Sequence, residues 1–364
     1  MSRVVVKVGT SSLTDEAGVI DEFVIRRISY EAALLRQAGH VVTIVTSGAI
    51  SAGMPLLGIT AEQRPGDPVA LQALSSIGQP ALVATWSAAL AEQGLRLGQI
   101  LLAPHNFGER TQYLHARATL AKLHELGVVP LINENDAVTD DEIRYGDNDR
   151  IAALVAHLVD ADTLVLLTDT DGIMTADPSV DPNASVIADV TDFAEIEGIV
   201  GGAGSERGSG GMASKLEAAK IASWSGVRTV IANAQRSNVI VDAVNSAPGV
   251  GTTVAARQST LSARKLWIGF ALTPVATVVV DEGAAAALSE GGRSLLAVGV
   301  AGIVGSFESG DPIEVATNSG LVVARGVARM TSEQVNASRG GAVDVDRSEH
   351  RSVVVHVDDL VLLG

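Results

Sequence analysis

The 364-residue chain has no cysteine, which excludes disulfides and thiolate metal sites. Aromatic residues are scarce, at 3% against 47% hydrophobic residues overall. The core must therefore be built from Ala, Val, Leu and Ile, which suits a parallel α/β architecture with strands buried on both faces. Positive charge is also short. There are 26 Lys and Arg against 42 Asp and Glu, a net charge of -16. That sign opposes non-specific nucleic-acid binding, which needs clustered positive charge. Lysine occurs only at Lys7, Lys122, Lys215, Lys220 and Lys265, so a lysine in an unusual place is informative. No apolar run reaches membrane-spanning length, and the N-terminus enters a strand at once with no visible signal peptide; a soluble, cytoplasmic protein is expected. The length exceeds one typical domain, so two are expected.

What the chain does have is acid in one place. Asn133 to Arg150 packs Glu134, Asp136, Asp140, Asp141, Glu142, Asp147 and Asp149 together with Asn133, Asn135 and Asn148. Such a group repels itself unless cations or ammonium groups join it. A solvated acidic loop is the plain alternative. The segment follows an apolar run, Val128 to Ile132, that reads as a buried strand. Two details favour function: the acids form two clusters, NEND and GDND, separated by a hairpin-sized insert, and the second runs straight into a helical pattern at Ile151, Leu154, Val155 and Leu158. Those acids and N–H groups would stand at a helix N-terminus.

The remaining chain reads as strands alternating with helices. Arg3 to Val8 is a strand that exits through Gly9-Thr10-Ser11-Ser12. Lys7 lies inside this apolar run, where an ammonium is costly without an anionic partner. Either it snorkels from an edge strand, or it is a fixed ammonium at the sheet edge where open α/β sheets place ligands. Asp21 can cap a helix whose face is Val24, Ile28 and Leu35. His40 to Thr46 is a second strand, ending in the tight turn Ser47-Gly48-Ala49. A long Ala-rich helix is expected over Val69 to Gln93, with a candidate break at Gly78-Gln79-Pro80. Leu97 to Ala103 is a strand, and Leu114, Ala118 and Ala121 mark a helix. His105, His115 and His124 are scattered and read as surface or packing residues. Thr163 to Thr168 is a strongly apolar strand ending in Asp169-Thr170-Asp171-Gly172, either a site at the sheet's carboxyl edge or an ordinary turn. Gly201 to Lys215 is a glycine-rich loop feeding a helix with Leu216, Ala219 and Ile221. It could cradle phosphate or be a plain linker, and matches neither a Walker A nor a dinucleotide fingerprint. Val227 to Ala232 and Thr252 to Ala255 are further strands. From about Thr273 short runs alternate with Gly-rich turns, the pattern of a small, mostly β domain.

These stretches form a specific series: VVKVGTSS at Val5–Ser12, TSGA at Thr46–Ala49, NENDAV at Asn133–Val138, GDND at Gly146–Asp149, LLTDTDGI at Leu166–Ile173, TADP at Thr175–Pro178 and SGGMASK at Ser209–Lys215. Each is modest; together and in this order they resemble the amino-acid kinase family, and within it the members that phosphorylate glutamate. The resemblance covers essentially the whole chain. SLLAVGV at Ser294–Val300, FESGDPIEV at Phe307–Val315 and GLVVARG at Gly320–Gly326 resemble a PUA domain.

The resemblance implies an α/β/α three-layer sandwich with a mostly parallel central sheet over residues 1–258, and a PUA-like β domain over 273–364. It implies ATP-dependent phosphorylation of the side-chain carboxylate of L-glutamate, the first step towards proline, with Mg2+ accompanying ATP. Carried over motif by motif, Ser47, Asp136 and Asn148 would bind glutamate. Lys7 and Lys215 would contact the phosphates, and Asp149 would hold the two lysines. Thr168, Asp169, Ser209, Gly210, Gly211, Met212, Ala213, Ser214 and Lys215 would hold the nucleotide. The resemblance further implies free proline as a feedback inhibitor and glutamyl phosphate reductase as a pathway partner. A homo-oligomer is expected too, which the long Ala-rich helix permits without specifying. Related kinases acting on acetylglutamate, aspartate, carbamate or a uridine nucleotide are the nearest rivals, and NEND with GDND and the β tail argue against them. An RNA-binding role for the tail is opposed by its charge: six Arg and no Lys stand against twelve Asp and Glu from Thr273 onward.

The residue types suit that chemistry. A carboxylate nucleophile, with an ordinary pKa near ~4.3, is already ionised at neutral pH. No general base is needed, and no histidine falls in these motifs. What the reaction needs is cancellation of charge between an anion and a polyanion.

Overall fold

The computed structural model describes residues 1–15, 17–103, 106–107, 109–138, 147–176, 181, 183–193, 196, 209–258, 260–338 and 353–363. They fall into two compact units: 1–106 with 110–260, and 107–109 with 261–364.

The first unit is built on an eight-stranded sheet. Its strands are β1 Arg3–Val8, β2 Val41–Val45, β3 Leu97–Leu102, β4 Val129–Glu134, β5 Thr163–Thr168, β6 Asp189–Val190, β7 Arg228–Asn233 and β8 Thr252–Val254. The spatial order is β3-β4-β2-β1-β5-β7-β8-β6. All pairings are parallel except β7 with β8. The central strands are β-branched runs such as RVVVKV and TLVLLT, buried along nearly their whole length, as expected for a sheet covered on both faces.

The covering helices are α1 Thr10–Leu13, α2 Glu22–Gln37, α3 Ala49–Gly53, α4 Pro68–Glu92, α5 Arg110–Glu125, α6 Asp147–Leu158, α7 Ser209–Trp224 and α8 Val239–Val244. Local signals set their starts. Asp21 accepts from Phe23 N at 2.8 Å and Asp67 from Ala70 N at 2.9 Å, two ordinary N-caps. One apolar layer joins Val4, Val6 and Val8 of β1 to Ile25, Ile28 and Leu35 of α2, to Leu82 and Trp86 of α4, and to Val239 and Ile240 of α8. Side chains alternate across a strand, so Lys7 lies on the other face, towards α6, which packs on β1 and on α7.

Two expectations need correction. The long helix is not broken at Gly78-Gln79-Pro80: α4 runs unbroken from Pro68 to Glu92 with Pro80 inside it. Gly78 serves packing there. A Cβ on it would run into the Ala49 carbonyl, and one on Gly53 into the Leu74 carbonyl, so α3 and α4 meet through two glycines. Ser209–Lys215 is not loop but the first two turns of α7. Its glycines occupy the helix start, where unpaired N–H groups need no side chain. Residues 201–208 and the insert at Asp140, Asp141 and Glu142 lie outside the described residues, as does His105.

The second unit has its own core. Its strands are β9 Ala276–Val280, β10 Leu295–Leu296, β11 Val300–Val304, β12 Pro312–Thr317, β13 Val322–Ala328 and β14 Val353–Leu362, in the order β10-β14-β13-β12-β9-β11. Its neighbours are antiparallel except β12 with β9. A 3-10 turn at Ala297–Gly299 separates β10 from β11. Among the described residues no helix is long and apolar enough to cross a membrane.

Candidate active site

The site lies along the carboxyl ends of four neighbouring strands. From one side these are β4, which leads into Asn135 and Asp136; β2, which leads into Ser47; β1, which carries Lys7; and β5, which ends at Thr168. Neighbouring strands stand roughly 4.8 Å apart, so β4 and β1 are about 10 Å apart across β2. A cavity of about 450 Å³ opens over β4, β2 and β1.

Its inner wall is a buried charge cluster. Lys7 Nζ lies 2.5 Å from Asp149 Oδ1, and Lys215 Nζ lies 3.3 Å from Asp149 Oδ2. Exposures of 4% for Lys7, 1% for Asp149 and 8% for Lys215 place all three out of bulk water. Three separate elements meet here: β1, the first turn of α6, and the second turn of α7. Ser214 Oγ donates to Asp149 Oδ2 at 2.8 Å, and Lys215 Nζ donates to the Gly211 carbonyl at 3.2 Å. Gly9 leaves space for the ammonium, since a Cβ there would stand 3.2 Å from Lys7 Nζ.

The electrostatics follow from burial and sign. Burial favours the neutral form of Asp149, but the Lys7 and Lys215 ammonium groups outweigh it and hold the carboxyl below its ordinary value. Burial pushes Lys7 below its ordinary value, with Asp149 opposing and Lys215 reinforcing the shift. Two ammonium groups share one carboxylate, so the cluster carries one excess positive charge in a poorly solvated place. Such a site attracts an anion.

The other wall holds polar groups. Asp136 opens a 3-10 turn after β4. Ser75 Oγ of α4 donates to its Oδ2 at 2.5 Å. Burial raises the Asp136 pKa, opposed by Ser75 and by the nearby Arg64 guanidinium. Asn148 Oδ1 accepts from Glu134 N at 3.2 Å, tying GDND to NEND. Asn133 Nδ2 donates to Gln79 Oε1 at 2.8 Å. Ser47 precedes Gly48, whose φ of 96° permits the abrupt turn into α3.

The structure thus brings Lys7, Ser47, Asp136, Asn148, Asp149, Gly211, Ser214 and Lys215 to one cavity. Thr168 and Asp169 do not line it. They end β5, on the far side of β1 from β4, where Thr168 Oγ1 donates to Asp169 Oδ1 at 3.0 Å. Asp171 accepts from Asn233 Nδ2 at 2.8 Å and joins the ends of β5 and β7. Met212 and Ala213 belong to the first turns of α7 and do not line the cavity; Ser209 and Gly210 start that helix. Sequence reasoning missed Ser75, Gln79 and Arg64. Ser75 and Gln79 are four apart on one helical face, and that polar pair in an Ala-rich helix was the available signal.

Among the described residues no group of three His, Cys, Asp or Glu side chains could hold a metal ion, and both Asp149 oxygens already face ammonium groups. A magnesium ion would arrive with the nucleotide, held mainly by substrate phosphates and water, as is usual for that ion.

Residues 2–233 match the model of the amino acid kinase family, and residues 276–348 match that of the PUA domain. The chain is 42% identical over 359 residues to the glutamate 5-kinase of Mycobacterium ulcerans, covering 98% of this chain and 96% of that one. It is 42% identical over 366 residues to the glutamate 5-kinase of Burkholderia mallei, covering 99% and 98%. Among solved structures, the isopentenyl phosphate kinase of T. acidophilum in a product complex aligns with a TM-score of 0.49 at 20% identity, over 70% of this chain and all of that one. The chain belongs to the amino acid kinase family, with relatives that are glutamate 5-kinases along nearly its whole length and a PUA domain after its kinase domain.

Proposed function

We propose that the chain transfers the γ-phosphoryl group of ATP to the γ-carboxylate of L-glutamate, giving L-glutamyl 5-phosphate and ADP, the first step of proline biosynthesis. The observation that carries this reading is the buried Lys7–Asp149–Lys215 cluster with its excess positive charge. Glutamate enters with its γ-carboxylate already ionised, so no proton need be removed. One carboxylate oxygen attacks the γ-phosphorus as the bond to the β-phosphate oxygen breaks, and ADP leaves with that bond's electrons. Lys7 and Lys215 lower the repulsion between the two anions, which is where catalysis of phosphoryl transfer chiefly lies. Asp149 fixes both ammonium groups before substrate arrives. On the β4 side, Asp136 takes the α-ammonium, while Ser47 and Asn148 line the acceptor's path. On the β5 side, Thr168, Asp169 and the start of α7 receive the nucleotide. In this reading acceptor, ammonium groups and donor lie in one line across the sheet edge, in keeping with the strand order.

The same reading includes MgATP as the form of the nucleotide, free proline as an inhibitor at or near the glutamate pocket, and glutamyl phosphate reductase as pathway partner. It also includes a homo-oligomeric, cytoplasmic enzyme. The test is ADP release by the purified protein with glutamate, N-acetylglutamate, aspartate, carbamate and UMP as acceptors, with and without Mg2+ and proline. Turnover with glutamate alone, dependent on Mg2+ and depressed by proline, is expected. Preference for another acceptor rejects the assignment.

A further inference from the structure

Asp136 accounts for one charge of an amino acid, its α-ammonium, and the Lys7–Lys215 cluster accounts for the reacting carboxylate. The α-carboxylate has no assigned partner. Among the described residues the same cavity supplies one candidate cation outside the lysine cluster, Arg64. It stands close enough to Asp136 to oppose the effect of burial on that carboxyl. Lining one cavity, Asp136 and Arg64 offer an anion and a cation to the two charges that an amino acid carries on one carbon.

The placement of Arg64 is built rather than incidental. It follows the 3-10 turn Ala61–Gln63, whose capping box pairs Thr60 with Gln63 in both directions, Thr60 N donating to Gln63 Oε1 at 3.1 Å. Ala61 meets the Thr14–Ile20 hairpin at Gly18: a Cβ on that residue, whose φ is 77°, would stand 3.3 Å from Ala61 Cβ. Thr14, Gly18, Ala61 and Arg64 all line the cavity. The turn and the hairpin together hold the arginine at its rim. Arginine suits the task, since its planar fork matches a carboxylate.

We propose that Arg64 binds the substrate's α-carboxylate and is a specificity-determining residue that selects a free α-amino acid over ligands lacking that group. This inference rests on the glutamate reading above. It concerns binding alone, because the α-carboxylate takes no part in the transfer.

The experiment pairs Arg64→Met and Arg64→Lys with three ligands. L-Glutamate carries both α charges, 4-aminobutyrate lacks the α-carboxylate, and glutarate keeps a second carboxylate but lacks the ammonium. Steady-state ADP release gives KM and kcat for glutamate, and competition against glutamate gives the inhibition constants of the other two. Arg64→Met is expected to raise KM for glutamate roughly 10- to 100-fold, the usual range for a lost charge-assisted hydrogen bond, with kcat changed less than about 3-fold. It should weaken glutarate as well and leave 4-aminobutyrate within about 2-fold of the wild type. Arg64→Lys should recover part of the loss. In the wild type, 4-aminobutyrate should bind more weakly than glutamate by a factor similar to that of the substitution, and binding too weak to measure satisfies this. An unchanged KM for glutamate in Arg64→Met, or an equal loss for glutamate and 4-aminobutyrate, overturns the inference while leaving glutamate phosphorylation intact. A wild-type enzyme inert towards glutamate overturns the functional reading, and this inference with it.

Discussion

Asp149 Oδ1 lies 2.5 Å from the Lys7 ammonium, although the two residues come from a strand and a helix 142 positions apart in the chain. The second oxygen of the same carboxylate faces Lys215. Asp149→Asn keeps the shape and removes the charge, leaving two buried ammonium groups in mutual repulsion. Breaking a buried pair in this way costs about 3–5 kcal/mol. Chemical denaturation should show a loss of that order, and kcat should fall by roughly 10²-fold or more. Wild-type stability with wild-type turnover would mean that Asp149 anchors neither lysine.

Lys215→Ala removes one preorganised cation from the α7 wall. We expect kcat to fall roughly 10²-fold or more with a smaller effect on KM for glutamate, as for other single transition-state donors. Steady-state kinetics decide it, and unchanged turnover would take Lys215 out of the phosphoryl site.

Asp136→Ala should act on the other substrate property, raising KM for glutamate while leaving kcat near the wild-type value. The pH dependence has a definite sign. Burial raises the Asp136 pKa, so the carboxyl takes up its proton at a higher pH than an ordinary aspartate. Glutamate affinity should therefore weaken as pH falls through that raised value, and Asp136→Asn should abolish the dependence. A fall in kcat with KM unchanged would contradict the assigned role.

His124 makes a prediction about stability. Its Nε2 lies 2.9 Å from Thr43 Oγ1. Burial, with Arg3 and Arg36 nearby, lowers its pKa from 6.5 to about 4. The folded chain therefore refuses a proton that the unfolded chain accepts. Stability is unaffected above pH 6.5 and declines as pH falls from there to about 4. His124→Gln removes the titration and should flatten the unfolding temperature over that window relative to the wild type. Parallel curves would show that His124 does not contribute.

Gly78→Ala tests the α3–α4 contact. The added Cβ would collide with the Ala49 carbonyl, and backbone cannot move aside as a side chain can. Overpacking of this kind costs about 1–3 kcal/mol, at roughly 2–4 °C of unfolding temperature per kcal/mol in a domain of this size. A calorimetric scan with no shift would mean that the crossing adjusts freely.

The strands were legible because β-branched runs with abrupt polar ends leave few alternatives, and Lys7 stood out because lysine is so scarce. The order of strands was not legible. No local signal says that β1 and β5 are neighbours, yet that adjacency sets the ends of β4 and β5 on either side of Lys7. Ser209–Lys215 read as loop because glycine weakens helices. The packing of α7 on α6 overrides that preference. Gly78 read as a breaker for the same reason, whereas close helix approach is what it permits. Ser75 was invisible as a site residue because its partner, Asp136, lies 61 positions away.

The most direct test of the account is trapping of the acyl phosphate by hydroxylamine, with the wild type and a folded Asp149→Asn variant side by side in glutamate and MgATP. The account predicts γ-glutamyl hydroxamate from the wild type and roughly 10²-fold less or lower from the variant. No hydroxamate from the wild type, or equal rates from both, would contradict it.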